Sequence, residues 1–471
     1  APEPSRPELR FADGTIRFKP SDTKEAELLF VTDAAFAWSG AGVTGTGAFI
    51  WRATRATFSL SINDLASLGR GDRSGFRLRL ESEPMNIGFD GGIAYRNGIQ
   101  ADGVLAAEAR SLRNSLSLLS IAPLTRGGFG PFKLKAKAVL TANSLAFDGL
   151  SLELDGNRAE GGITIKHADG RTVLQATLAS EASDFTPYSG GFAVTDEDGR
   201  DWNREPIDLG ALDAFDLDIR LSSGRVTVRR TQLERVAASA TLRNGSFNLS
   251  VGEARYHGGA LQGRLVVSPG PEGTADVKVE ANVANFNLGP GMVEIAGIHR
   301  LEGKGTLALA LAGSGKHVHG ITRALSGNVT LTAADGALAG INVEQVLRRL
   351  ERKPLSGPPD FAGGRTPFKQ LSVKMRIAEG TAKVEEAQVE SPLVRVKLAG
   401  KTSVAHRDFD LQGMATLVRA GANSKEAQPF DLPFWVMGPW EKPFLLPDPV
   451  ALIRRSDAAA PLLDAVRKQT D

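Results

Sequence analysis

Apolar and polar residues alternate, one short run after another, along almost the whole of this chain. Phe215, Leu217, Ile219 and Leu221 interleave with Asp216, Asp218 and Arg220. Leu371, Val373, Met375 and Ile377 interleave with Ser372, Lys374 and Arg376. A strand points successive side chains to opposite faces, so each run sorts one residue class onto each face. Together the runs predict a mainly β protein, with a very large sheet that is apolar on one face and solvated on the other. Two arrangements share this periodicity. The apolar face can be the filled core of a closed sandwich or barrel, or it can line a groove left open for something apolar.

At 471 residues the chain exceeds one ordinary domain, and two or three modules are expected. Gly makes up 52 residues, an excess that fits many turns and bulges. A net charge of +2 provides no field to gather nucleic acid, and no basic tract is interleaved with aromatics, so nucleic-acid binding is not expected. Cys is absent, which excludes disulfides, thiol catalysis and Cys-based zinc sites. The longest apolar stretch, near Leu307 to Ala312, has strand length, far short of the roughly 18 residues that span a bilayer. The opening Ala1-Pro2-Glu3-Pro4-Ser5-Arg6-Pro7 has no initiating Met. A targeting or anchoring segment processed off, or a trimmed chain, is inferred.

Residues 1–188 read as a first β-rich module. Asp13-Gly14, Asp90-Gly91, Asn97-Gly98 and Asp102-Gly103 are hairpin signals, and the spacing of Ala109, Leu112, Leu116 and Leu119 predicts a helix over 108–121. A Gly-, Ser- and acid-rich linker is expected at 189–206. The second module, 207–448, carries helices expected near 287–297, with Pro290 in the first turn, and at 343–352. The latter has Asn342 as N-cap, Gln345 three residues on, and Val343, Val346, Leu347 and Leu350 as its apolar stripe. Arg348, Arg349, Arg352 and Lys353 crowd its C-terminal end, where the helix dipole favours cations. A helical tail is expected over 449–471, with a helix after Asp457.

The residues that carry chemistry are scattered. His317 and His319 would share a strand face, but no carboxylate at useful spacing joins them, and an exposed loop beside Gly315 and Gly320 is the expectation. Gly313-Ser314-Gly315-Lys316 lacks the spacer and the hydroxyl residue of a phosphate loop. Asp196, Asp198 and Asp201 surround Gly199 without calcium-loop spacing. No nucleophile elbow of the form GxSxG occurs. No catalytic residue, metal ligand or cofactor-binding residue is expected, and the chain reads as a protein that is not an enzyme.

Several segments resemble, in order, the AsmA family of Gram-negative envelope proteins. They are residues 207–221, the Tyr256-His257-Gly258-Gly259 turn, Leu325-Ser326-Gly327-Asn328 to Gly336 followed by the 343–352 helix, and Thr366-Pro367-Phe368 through Ile377. Gly380 and Ser391-Pro392 continue the series, and Leu432-Pro433-Phe434, Gly438-Pro439-Trp440, Pro443 and Pro447-Asp448 end it. The 109–119 helix and Leu150 to Gly162 resemble members of α-proteobacterial type.

The resemblance implies a long curved antiparallel sheet forming an open groove or incomplete barrel with an apolar interior, of the bridge-like lipid-transfer type. It implies a periplasmic location, tethering to the inner membrane by an N-terminal anchor that this chain lacks, and a role in outer-membrane lipid homeostasis and biogenesis. Partners implied are phospholipid or another acyl-chain lipid, with envelope proteins at the groove ends. The residues expected to line the groove are Phe215, Leu217, Ile219, Leu221, Leu371, Val373, Met375 and Ile377. The alternative is a non-enzymatic scaffold or modulator of outer-membrane protein assembly with a closed core.

Overall fold

In the computed structural model, residues 7–18, 27–121, 123, 125, 127–168, 170–192, 194–196, 201–354, 363–418 and 429–455 are described. Among the described residues, 24 strands belong to one sheet that does not close into a barrel, accompanied by six short helices. The chain divides into two compact units. One takes in Ala1–Gly191, Gly210–Arg229 and Ser239–Gly245, the other Phe192–Leu209, Arg230–Ala238 and Ser246–Asp471.

The first unit begins with β1 (Glu8–Phe18), β2 (Glu27–Ser39), β3 (Gly42–Trp51) and β4 (Thr54–Ile62), followed by α1 (Leu65–Gly69). It continues through β5 (Ser74–Ser82), β6 (Asn86–Tyr95) and β7 (Ile99–Ala109) to α2 (Leu112–Leu118). Then come β8 (Phe132–Thr141), β9 (Ser144–Leu154), β10 (Asn157–Ala168), β11 (Arg171–Asp184) and β12 (Asp216–Val228). Each strand from β1 to β11 pairs antiparallel with the next. β12 instead lies parallel to β11, in register from Val173 opposite Asp216. A parallel neighbour needs a long connection, and residues 185–215 supply it.

β13 (Thr231–Arg243) is divided between the units. The second unit holds β14 (Ser246–Tyr256), β15 (Gly259–Pro269), β16 (Ala275–Asn287), α3 (Leu288–Ala296) and β17 (Leu301–Gly315). It continues with α4 (Val318–Arg323), β18 (Ser326–Ala339), α5 (Val343–Arg352), β19 (Arg365–Ala378), β20 (Thr381–Glu390) and β21 (Val394–Ser403). β22 (Asp408–Leu417), β23 (Phe430–Pro439), β24 (Phe444–Pro447) and α6 (Pro449–Arg454) complete it. Successive strands from β14 to β24 pair antiparallel.

Local chemistry accounts for the helices. Asn342 Oδ1 accepts from the Gln345 amide at 2.9 Å and starts α5 at the expected residue. Asn287 caps α3, and Gly297, at φ 69°, ends it in the left-handed region. α2 is shorter than the 108–121 expected. Strand β7 runs to Ala109, and the Ser111 hydroxyl, accepting from the Asn114 amide, sets the start one turn later. α1 was not legible in the apolar pattern, because its five residues offer too short a stripe.

Three expected hairpins are not turns. Asp13-Gly14 lies within β1, and Asp90-Gly91 and Asp102-Gly103 lie within β6 and β7. Gly91 and Gly103 face each other, and a Cβ on either would collide with the opposite backbone, so these glycines serve a close approach of two strands. Residues 355–362 of the expected loop and the helix after Asp457 fall outside the described residues.

Candidate functional site

In the first unit, strand register assembles the alternating runs into continuous apolar rows. Ile219 pairs with Ala176, Ala176 with Ile163, Ile163 with Phe147, and Phe147 with Ala138. Leu217 continues through Leu174 and Ile165 to Leu145, and Leu221 through Leu178 and Gly161 to Leu150. Further along, Leu9, Phe36, Gly45, Leu60, Leu78, Phe89 and Leu105 form one row across seven strands. The opposite face is polar and carries cross-strand ion pairs, among them Arg77–Asp90 at 2.8 Å and Arg73–Asp102 at 2.8 Å. Leu217, Ile219 and Leu221 are half-buried, as is Phe215, which directly precedes β12. Phe89, Ala136, Ala138, Phe147 and Leu150 form a buried cluster on this face, and Ala176 in the Ile219 row is buried as well.

The second unit repeats the construction. Val373 lies in a row with Leu331, Leu307, Val283 and Leu261 on one side, and with Ala387, Leu398, Gly413 and Phe434 on the other. Met375 lies in the next row with Val329, Leu309, Val384, Leu411 and Val436. The solvated side again pairs its charges, Lys374–Glu386 at 2.8 Å and Arg376–Glu385 at 3.0 Å.

Each expected set therefore lies on one face of its own unit, in line with apolar rows of neighbouring strands. The AsmA family model matches residues 172–386, from β11 into β20, a span that holds both sets. This region belongs to the AsmA family. No curated protein and no solved structure matches the chain.

Within the AsmA-family region the face is not uniformly covered. At one end of the strands, α3 and α5 lay Leu288, Met292, Leu347 and Leu350 onto it, and Leu371 is 4% exposed beneath them. Phe286, fully buried, explains the Tyr256-His257-Gly258-Gly259 turn. Its Cα and Cβ, with the Ala284 carbonyl, occupy the space that a side chain at Gly259 would take, and its ring the space that one at Gly291 would take. The Tyr256 hydroxyl donates to the Gly291 carbonyl at 3.2 Å, and His257 Nε2 meets Glu294 Oε2 at 2.8 Å, so the turn holds α3 down. Burial, and then the Glu294 charge, push the Tyr256 phenol up.

At the other end, Ile377 is 5% exposed and packs with Ala382, Val404, Trp202 and Trp440. Trp202 donates from Nε1 to the Val404 carbonyl at 2.8 Å, which docks the 201–209 segment onto this unit. The Arg407 guanidinium lies over the Trp202 ring, 5.6 Å from its centre, and 3.9 Å from Glu441 Oε1. Between the two covered ends, Val373, Met375, Val329 and Leu309 are half-buried, while Leu307, Leu331, Val384 and Ala387 in the same rows are buried.

Sequence reasoning missed the chemistry of this second end. His317 and His319 do not share a strand face or lie in an exposed loop. His317 caps α4, its Nδ1 accepting from the Gly320 amide at 2.8 Å, and His319 sits half-buried inside that helix. An imidazole cap lacks the usual Ser, Thr, Asn or Asp signature, so the helix start was not legible. Burial, then the charges of Arg204, His317, Arg323 and His406, push the His319 imidazole below its ordinary range. Gly313 and Gly315 end β17 and pack against the α4 backbone, in place of a phosphate-loop geometry. Among the described residues no group of three or more His, Asp or Glu is placed to hold a metal ion. No helix among them is long and apolar enough to cross a membrane.

Proposed function

We propose that the apolar faces bind acyl chains of phospholipid or a similar lipid and let them pass along the rows, as part of outer-membrane lipid homeostasis in a periplasmic, inner-membrane-tethered protein. The observation that carries this reading is the set of in-register apolar rows in a sheet that does not close, with Val373, Met375, Val329 and Leu309 half-buried between covered ends. A 16-carbon chain exposed to water costs roughly 0.8 kcal/mol per methylene, about 12 kcal/mol in all, and an apolar floor offsets most of that. Passage down a row requires no nucleophile, metal or nucleotide.

The competing reading, a closed-core scaffold for outer-membrane protein assembly, draws on the burial of Leu371 and Ile377. A photo-crosslinking residue at Leu217 and at Met375, followed by extraction of adducts from cells, separates the two. The groove gives lipid adducts at both positions. Protein adducts alone, with no lipid at either, overturn it.

A further inference from the structure

Five basic or imidazole side chains gather at the α4 end of the second unit: Arg204, His317, His319, Arg323 and His406. Arg204 and Arg323, and the imidazoles of His317 and His406 when protonated, oppose a positive charge on His319. Neither Arg204 nor Arg323 has an ion-pair partner among the described residues, although paired arginines are common on the solvated faces. His317, whose Nδ1 is an acceptor, keeps its proton on Nε2 and so presents a second donor. The cluster adjoins the apolar floor. Trp202, two residues before Arg204, packs against Ile377 and Val404 in the cluster that also takes in Val329, Met375 and Trp440. The His319 amide donates to the Asn203 carbonyl at 3.0 Å, which fixes α4 beside that segment. Amphipathic indoles between an apolar floor and uncompensated cations form the sequence of environments that a lipid crosses from chain to headgroup.

We infer that Arg204 and Arg323, flanked by His317 and His319, bind the phosphate of a lipid whose acyl chain lies on the Val329–Met375 row. The inference rests on the acyl-binding reading above and adds the headgroup chemistry and the place of entry. An anionic oxygen there meets unpaired guanidinium donors at the edge of a low-dielectric face, where charge-assisted hydrogen bonds are strong.

Three probes test it on the full chain at low salt: palmitoyl lysophosphatidate, monopalmitoylglycerol with the same chain and no phosphate, and glycerol 3-phosphate with no chain. The expected result is lysophosphatidate binding about tenfold tighter than monopalmitoylglycerol, with glycerol 3-phosphate far weaker than either. Arg204→Gln with Arg323→Gln removes the tenfold preference and leaves monopalmitoylglycerol binding unchanged, and Arg204→Lys with Arg323→Lys retains most of it. Equal binding of the two lipids, or a preference that survives the Gln pair, overturns the headgroup site and leaves the groove standing. Glycerol 3-phosphate binding as tightly as lysophosphatidate overturns it in favour of a free-phosphate site. Failure of both lipids to bind overturns the groove and this site together.

Discussion

The two units carry the same apolar rows and treat them differently. In the first, Leu217, Ile219 and Leu221 stay half-buried, and among the described residues the cluster around Phe89 and Phe147 has five buried members. In the second, α3 and α5 cover the corresponding rows at one end and the Trp202 segment at the other, and twenty residues form the main buried cluster. Periodicity is common to both. Cover distinguishes a floor from a core, and cover comes from short helices and loops that break the pattern.

Substitutions at matched places sharpen that difference. The largest effect is expected at Phe286, where truncation to Ala leaves a void under α3 and costs about 3–5 kcal/mol, read by urea unfolding. Leu217→Ala, on a half-exposed row, costs under about 1.5 kcal/mol in the same measurement. Equal losses at the two sites would show that the first face is a closed core. Removing the α5 cap with Asn342→Ala is expected to cost about 1 kcal/mol and to raise lipid crosslinking at Val373 as the helix loosens. Unchanged crosslinking would mean that α5 does not govern access. A double-mutant cycle on Lys374 and Glu386, both well exposed on the solvated face, is expected to show little or no coupling. Finally, His319 is expected to titrate below its ordinary range when followed by NMR, and Arg204→Gln to raise it. Stability linked to this group is present above the unfolded pKa of about 6.5 and is lost as pH falls through the depressed folded value.

The rows were legible because burial of one face imposes a strict period of two, and the two expected sets each fall on one face. α5 was legible to the residue because cap, stripe and terminal arginines agree. The DG pairs misled, because Asp-Gly signals left-handed backbone or close approach as readily as a turn. The cluster at α4 could not be read, since Arg204, His319, Arg323 and His406 are brought together by the docking of the Trp202 segment on α4 and Val404 and carry no shared spacing. The parallel pairing of β11 and β12 was equally hidden, because alternation records faces and not direction.

Rings laid over glycines have one further consequence. Phe36 lies on Gly45, Phe368 on Gly336 and Phe434 on Gly413, each on a neighbouring strand and each in the room a Cβ would need. A methyl added to the glycine would lift the ring into a bump, and a smaller residue in place of the ring would leave a dent. The smoothness of the surface is thus held jointly by pairs of positions, and its inheritance should be joint as well. Drift at one member is tolerated only with a matching change in the other, so these pairs should leave a trace of correlated substitution that the ordinary alternation around them does not.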